Sequence, residues 1–187
     1  MIGVLALQGN FQSHLNILEK INLESLLVKK SEDLNRVSGL IIPGGESTTM
    51  SKLLVNSNLD KKVKEFSKKN PILGTCAGAI IMSKNSSDKR VLNLGLLDID
   101  IDRNAYGRQV FSFSDQIKII DGENKSNCEV LFIRAPKIIN VGNNCDVFAF
   151  RNDEVVGVKQ GKHFAITCHP ELMGNTKIHE MCFKKNR

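Results

Sequence analysis

The chain has 187 residues, enough for one well-buried core and short for two. Apolar residues make up 41% and charged residues 25%, with a formal charge of +6, and no apolar run reaches the roughly 20 residues of a membrane helix. The basic residues fall in scattered pairs (Lys29–Lys30, Lys61–Lys62, Lys68–Lys69, Lys184–Lys185), with no Trp and a single Tyr to stack on bases, which argues against a nucleic-acid binder.

In chain order, residues 2–7 (IGVLAL) read as a buried first strand, too short and too poor in basic residues for a secretion leader. Phe11, Leu15, Leu18 and Ile21 repeat at helical spacing over 11–21. Leu26–Val28 is a second short strand, and residues 39–42 (GLII) form a third that stops at Pro43-Gly44-Gly45. Ser47 is expected to cap a helix running to about Val55. A further helix spans Leu59–Lys69; then come a strand at Ile72–Leu73, a turn, and a helix over Ala77–Met82. This alternation predicts a parallel sheet covered on both faces. After residue 90 the texture changes. LNLGLLDIDI, QVFSFS, QIKII, CEVLFIRA, DVFAF, EVVGVK and HFAITC read as strands separated by turns, ahead of a last helix over 175–184. The expectation is one α/β domain covering 1–187, with a mixed, mostly parallel central sheet and β-rich additions in the second half.

Five cysteines (Cys76, Cys128, Cys145, Cys168, Cys182) are scattered and odd in number, with no CxxC pair and no metal-ligand spacing. They read as reduced thiols in a cytoplasmic protein, with no metal site. One of them stands apart. Gly74-Thr75-Cys76-Ala77-Gly78 has the spacing G-x-C-x-G at a strand-to-helix junction, the pattern of a nucleophile elbow with sulfur in place of oxygen. Side chains two positions either side would collide in such a turn, so glycine fits there. A helix start favours a thiolate over a thiol, and the Ala77 N–H is free to meet an oxyanion. The alternative is a buried cysteine in a turn of small residues.

A nucleophile needs a base. Of four histidines, His14 and His179 lie in the first and last helices and read as surface or boundary residues, and His163 follows Gly161-Lys162 in a turn. His169 sits in His169-Pro170-Glu171 just after the strand HFAITC. Pro170 keeps His169 extended, so Glu171 can stay near its ring. Nucleophile, base and orienting carboxylate then come from two strand ends; taken alone, His-Pro-Glu reads as an ordinary turn, and it is the cysteine elbow in the same domain that reverses this. Gly45, after the third strand, is a candidate second oxyanion donor beside Ala77. Arg103, Arg134 and Glu46 would suit a zwitterion, the guanidinium taking a carboxylate and the Glu46 carboxylate an ammonium.

With these motifs in hand, the chain resembles the class I (triad) glutamine amidotransferases, and among them the glutaminase subunits of pyridoxal 5′-phosphate synthases. The resemblance rests on GVLALQG (3–9), PGGESTTM (43–50), GTCAG (74–78), RNAYGRQ (103–109), FIRAP (132–136) and HPEL (169–172), in order over nearly the whole chain. It implies a flavodoxin-like α/β three-layer sandwich. It implies Cys76 as nucleophile, His169 as general base and acid, and Glu171 as its orienter. Gly45, Glu46, Ser47, Arg103, Ile133 and Arg134 would hold L-glutamine, and the Gly44–Gly45 peptide would adjust to complete the oxyanion hole when a partner docks, with Gln8 and the first helix near that surface. No cofactor is implied. The implied partner is a synthase subunit of barrel type, with a dozen copies of each in the assembly, which receives ammonia for vitamin B6 synthesis. Tyr106 stands where phenylalanine is also usual, and Cys168 where a small residue is common; Cys168 is expected to point into the core. Three rival readings are a glutaminase serving another acceptor, such as the imidazole glycerol phosphate pathway, a non-catalytic module that kept the fold, and a cysteine hydrolase or redox sensor.

Overall fold

The structure, a computed structural model, describes residues 1–103 and 112–184. Strand β1 (Ile2–Leu5) leads into helix α1 (Phe11–Lys20), then β2 (Ser25–Val28), a 3-10 turn at Ser31–Arg36, and β3 (Leu40–Ile42). Helices α2 (Ser47–Asn56) and α3 (Leu59–Ser67) precede β4 (Ile72–Thr75) and α4 (Ala77–Met82). The rest is mostly strand: β5 (Ser83–Ser86), β6 (Leu97–Asp102), β7 (Phe113–Asp121), β8 (Asn124–Phe132), β9 (Lys137–Val141), β10 (Asp146–Arg151), β11 (Glu154–Gln160) and β12 (His163–Ile166). A 3-10 turn at Pro170–Met173 and helix α5 (Lys177–Phe183) close the described chain. Among the described residues no helix is long and apolar enough to cross a membrane.

Nine strands form one sheet in the order β2-β1-β3-β4-β12-β11-β10-β7-β8. From β2 to β12 the pairings are parallel; from β12 outward they are antiparallel. The parallel centre is as the sequence led us to expect, and the hairpins β7–β8 and β10–β11 are the β-rich additions. A second sheet, β5-β6-β9, stands apart.

The central strands are apolar on both sides because both sides are covered. Successive side chains point to opposite faces: Ile41 joins one core, while Leu40 and Ile42 join the other. One face is covered by α1 and α5, which contribute Leu18, Ile21, Ile178, Met181 and Phe183. The other is covered by α2, α3 and α4 through Met50, Leu54, Val63 and Ile80, with Leu97, Ile99 and Ile138 of the small sheet packed alongside. Each such side chain removed from water contributes about 1.5–3 kcal/mol.

Several local expectations change. The cap of α2 is Glu46, not Ser47: the Glu46 carboxylate accepts from the N–H groups of Thr48 and Thr49. The Pro-Gly-Gly turn ends one residue early enough for Ser47 to be the first helical residue, and its hydroxyl turns inward. Strands β5 and β9 carry little apolar alternation (SKNS, KIINV), so periodicity missed them. QVFSFS is not a strand of its own, since β7 begins at Phe113 and runs on through QIKII; residues 109–111 lie outside the described residues. Of RNAYGRQ, Arg103 alone is described.

The largest correction concerns His14 and His179. Both are fully buried. His14 belongs to the inward stripe of α1, three residues after Phe11 and four before Leu18. Its Nδ1 lies 2.9 Å from His179 Nε2, and its Nε2 lies 3.2 Å from Thr75 Oγ1. Burial, reinforced for His14 by the nearby His179 and His169, pushes both imidazoles down, His179 to about 3. Both are therefore neutral in the fold and protonate freely once unfolded. On acidification below about pH 6.5 the unfolded chain takes up these protons first, so stability falls with falling pH. Urea unfolding between pH 6.5 and 5.5, above most carboxylate protonation, should show a loss of about 1 kcal/mol per buried histidine, and His179→Leu should flatten that slope.

Candidate active site

The site forms where β3, β4 and β12 end side by side. β12 pairs with β4 in parallel register, Ala165 opposite Gly74 and Ile166 opposite Thr75. The Cys76 N–H donates to Ile166 O at 2.8 Å and ties the elbow to the neighbouring strand. Cys76 itself has φ +48° and ψ −104°, a conformation that L-residues avoid outside strained functional turns. The flanking glycines are needed for contact reasons: a Cβ on Gly74 would press on Met82 Sδ and the Gly78 backbone, and one on Gly78 would strike the Ile42 carbonyl.

His169 lies three residues beyond β12, with φ −119° and ψ 79°, outside the helical region. Its N–H donates to Leu131 O at 2.8 Å, which fastens it to the end of β8. Its Nδ1 lies 2.7 Å from Glu171 Oε1, and Glu171 is buried in the 3-10 turn that Pro170 begins. With Nδ1 committed, Nε2 is the nitrogen left for chemistry. Burial alone would push the imidazolium down; hydrogen bonding and charge from Cys76 and Glu171 outweigh it and raise it to about 10. Cys76 Sγ has a loose contact with Ile133 O at 3.9 Å, which leaves the thiol free to turn toward the ring. Gly44 supplies the floor under His169, and a Cβ there would overlap the imidazole Cε1.

These groups open on a cavity of about 490 Å³, within the usual size range for a small-molecule site. It is lined by Gly44, Gly45, Glu46, Ser47, Cys76, Ala77, Arg103, Ile133, Arg134 and His169, joined by Asn10, Ile80 and Leu172. The candidate nucleophile, base, oxyanion donors and substrate-binding residues of the sequence reading all stand on this wall; Glu171 lies behind His169, and Gln8 is not among the lining residues. Ser47 Oγ is buried there with no partner. The Gly44 carbonyl accepts from the Asn10 N–H at 3.2 Å, and the Gln8 side-chain carbonyl accepts from the Glu46 N–H at 3.0 Å. Arg134, like Cys76, has positive φ, +43°.

The charged side of the cavity is a network the sequence did not announce. Arg103 donates from Nη1 to Asp88 Oδ2 at 2.7 Å and from Nη2 to Glu46 Oε1. Asp88 also takes a two-pronged contact from Arg90, which holds its carboxyl well below the usual range. Burial works against the Glu46 carboxylate, but hydrogen bonds from Thr49 and Thr48 hold it at about 2. Both Glu46 oxygens carry two contacts, so all four lone-pair directions are in use. Asp88 and Arg90 sit in a turn beside many similar surface charges, and nothing in their spacing marked them. His14 was findable, from its place on the apolar stripe of α1. Among the described residues no group of three or more His, Cys, Asp or Glu side chains could hold a metal ion.

A cysteine elbow and a carboxylate-bound histidine thus meet at neighbouring strand ends of an α/β fold, the fold and site layout of a class of glutamine amidotransferases. The SNO glutamine amidotransferase family model matches residues 4–186, and the chain belongs to that family. It is 44% identical over 180 residues to the "Pyridoxal 5′-phosphate synthase subunit PdxT" of Thermosipho africanus (strain TCF52B), covering 96% of this chain and 95% of the relative. It is 43% identical over 188 residues to the protein of the same name from Koribacter versatilis (strain Ellin345), covering 100% of this chain and 95% of that one. A solved structure titled "Crystal structure of glutamine amidotransferase" superposes with a TM-score of 0.91 at 36% identity, covering 98% of this chain and 97% of that chain. The solved structure of PurLQS from Thermotoga maritima shares the fold at a TM-score of 0.71 and 15% identity, covering 100% of this chain and 98% of that chain.

Because Gly44 packs against the His169 ring, Gly44→Ala should displace the imidazole while leaving the fold intact. Turnover should fall by about 100-fold, as expected for losing a positioned proton-transfer group, with a thermal midpoint within a few degrees of the unsubstituted chain.

Proposed function

We propose that the protein hydrolyses L-glutamine to glutamate and ammonia through a Cys76 thioester, and hands the ammonia to a synthase that makes pyridoxal 5′-phosphate. The observation that carries this reading is the 2.7 Å contact of the buried Glu171 with Nδ1 of His169, whose imidazole shares the cavity wall with Cys76. The PdxT relatives, named as pyridoxal 5′-phosphate synthase subunits, support the destination of the ammonia.

The Cys76 thiolate attacks the side-chain amide carbon, and the amide oxygen becomes an oxyanion held by the Ala77 and Gly45 N–H groups. Each such donor is worth on the order of 3 kcal/mol of barrier. The His169 imidazolium, stabilised by Glu171, gives its proton to the amide nitrogen; the C–N bond breaks and ammonia leaves, with a glutamyl thioester on Cys76. His169, now neutral, takes a proton from water as the water oxygen bonds to the thioester carbon. The C–S bond then breaks, releasing glutamate and restoring the thiolate–imidazolium pair.

Glutamine arrives as a zwitterion, and the Glu46–Arg103 pair is its mirror image. The α-carboxylate takes Arg103 and the α-ammonium takes Glu46, one ion pair exchanging for two. This is how a carboxylate with no vacant lone pair binds a cation: it gives up Arg103. Ser47 Oγ, buried without a partner, gains one from the substrate, and Ile133 and Arg134 close the far wall. Ammonia lost to bulk water is protonated and inert as a nucleophile. The site therefore works against a synthase subunit of barrel type, with the Gly44–Gly45 peptide and the neighbouring Gln8 at the contact.

An electrophilic glutamine analogue should label Cys76 and no other thiol, mapped by mass spectrometry. Cys76→Ala should abolish both label and glutamate release, measured with the synthase partner present; a label elsewhere overturns the assignment. Glu46→Gln should raise KM for glutamine by about tenfold, the loss of one charged contact, with a smaller effect on kcat in steady-state assays.

A further inference from the structure

Behind the site lies a group of buried polar side chains that the reaction above does not use. Glu171 is fully enclosed, yet its side chain has little to satisfy it. Oε1 meets His169 Nδ1 at 2.7 Å, while Oε2 is buried with no partner. A carboxylate in that position is costly unless nearby dipoles or charges favour it. The next polar atom facing Oε1 is His14 Nε2, at 3.7 Å. The same nitrogen lies 3.2 Å from the hydroxyl of Thr75, the residue before the nucleophile, and His14 Nδ1 lies 2.9 Å from His179 Nε2.

The protons can be placed from these contacts. With Nε2 unprotonated, His14 would aim a lone pair at a carboxylate oxygen. With Nε2 protonated, it aims an N–H at Glu171 and Thr75, and Nδ1 becomes an acceptor. His179 Nε2–H then donates to it, leaving the unpartnered His179 Nδ1 as a bare lone pair, cheaper to bury than an unpaired N–H. One assignment thus suits every contact among these side chains and leaves only Glu171 Oε2 and His179 Nδ1, both acceptors, without a partner. A second proton on His14 is resisted by burial, by His179 and by His169. The titratable groups around it are His179 from α5 and His169 and Glu171 from the segment after β12, with the buried Cys168 thiol beyond Glu171.

We propose that His14 is a positioning residue for the reaction: as a neutral imidazole with Nε2–H turned toward Glu171 and Thr75, it holds the carboxylate in line with His169, and His179 fixes its tautomer. It touches neither substrate nor the reacting atoms. It acts through Glu171 on one side and through the strand end that carries Cys76 on the other. The inference rests on Cys76, His169 and Glu171 being the reacting set, but not on glutamine being the substrate.

The test reads Cys76 directly: the rate of its alkylation by iodoacetamide in the full chain, from pH 5 to 10, located by mass spectrometry. His14→Leu should slow alkylation at pH 7 by about tenfold and move the half-maximal pH up by about one unit. His14→Gln, whose amide N–H reaches about as far as Nε2, should restore the rate to within about threefold. In a Glu171→Gln background His14→Leu should add no further loss, since the residue it acts through is already gone. Glutamine hydrolysis should fall in kcat with KM unchanged. Additive losses, or a profile that superposes on the unsubstituted chain, overturn the proposal. Should His14→Leu fail to fold, His179→Leu serves: it frees the tautomer and should give a smaller shift in the same direction, and an unchanged profile again overturns it. If the alkylation pattern holds but the unsubstituted chain releases no glutamate even with the synthase partner present, the proposed function fails while this inference stands.

Discussion

The parallel pairing of β4 with β12 is the constraint on which the site depends. Cys76 and His169 are far apart in sequence, and nothing local brings them together. The register Gly74–Ala165 and Thr75–Ile166 makes the two strands end level, at the carboxyl edge where open α/β sheets place their ligands. The hydrogen bond from Cys76 N–H to Ile166 O locks that register at its last rung. A slip of one residue would turn every side chain of β12 to the opposite face and carry His169 away with it. β3, on the other side of β4, delivers Gly44 under the imidazole, so three adjacent strands share the work.

Strain is concentrated in the same place. Among the described residues, the non-glycine positions with positive φ are Asn22, Asn58 and Asn152, which tolerate it, and Cys76 and Arg134, which do not. Both of the latter line the cavity. Such backbone costs roughly 1–3 kcal/mol a residue and persists only where the surroundings dictate it. Here the surroundings are the Ile166 hydrogen bond and the close-packed glycines for Cys76. Arg134 follows three residues after the Leu131–His169 bridge. The positive-φ backbone thus falls where the Cys76 and Arg134 side chains enter the cavity.

Much of this was legible in the sequence because glycine and proline record geometry. Gly74, Gly78 and Gly44 are where a Cβ has no room, so the elbow and the Pro-Gly-Gly turn announced themselves. Pro170 did the same for His169. The parallel core was readable from continuous apolar runs such as LII at 40–42. Other parts left no trace. Strands β5 and β9 are held by backbone pairing in a small sheet, not by an alternating apolar face, so periodicity was silent. Asp88 earns its place through Arg103, a partner fifteen residues on, and no spacing rule predicts that. His14 was visible in principle, since it falls on the buried stripe of α1; a lone polar residue there reads as a boundary until its partner on α5 is seen. In a helix as short as α5, nearly every residue is buried and no stripe exists to read.

The hairpin β7–β8 has to reconcile opposite demands. At its inner end, β8 bonds to the His169 segment through Leu131 and passes Ile133 and Arg134 to the cavity. At its outer end, β8 is the last strand of the nine, with a row of backbone groups open to any passing strand. Asn124, Lys125, Ser126 and Asn127 are exposed there, with Glu129 outward between buried neighbours. A polar, charge-bearing edge is a poor template for another chain to add to. The border strand can thus serve the site without seeding fibrils, and replacing those outward side chains with β-branched apolar ones would trade solubility for self-association.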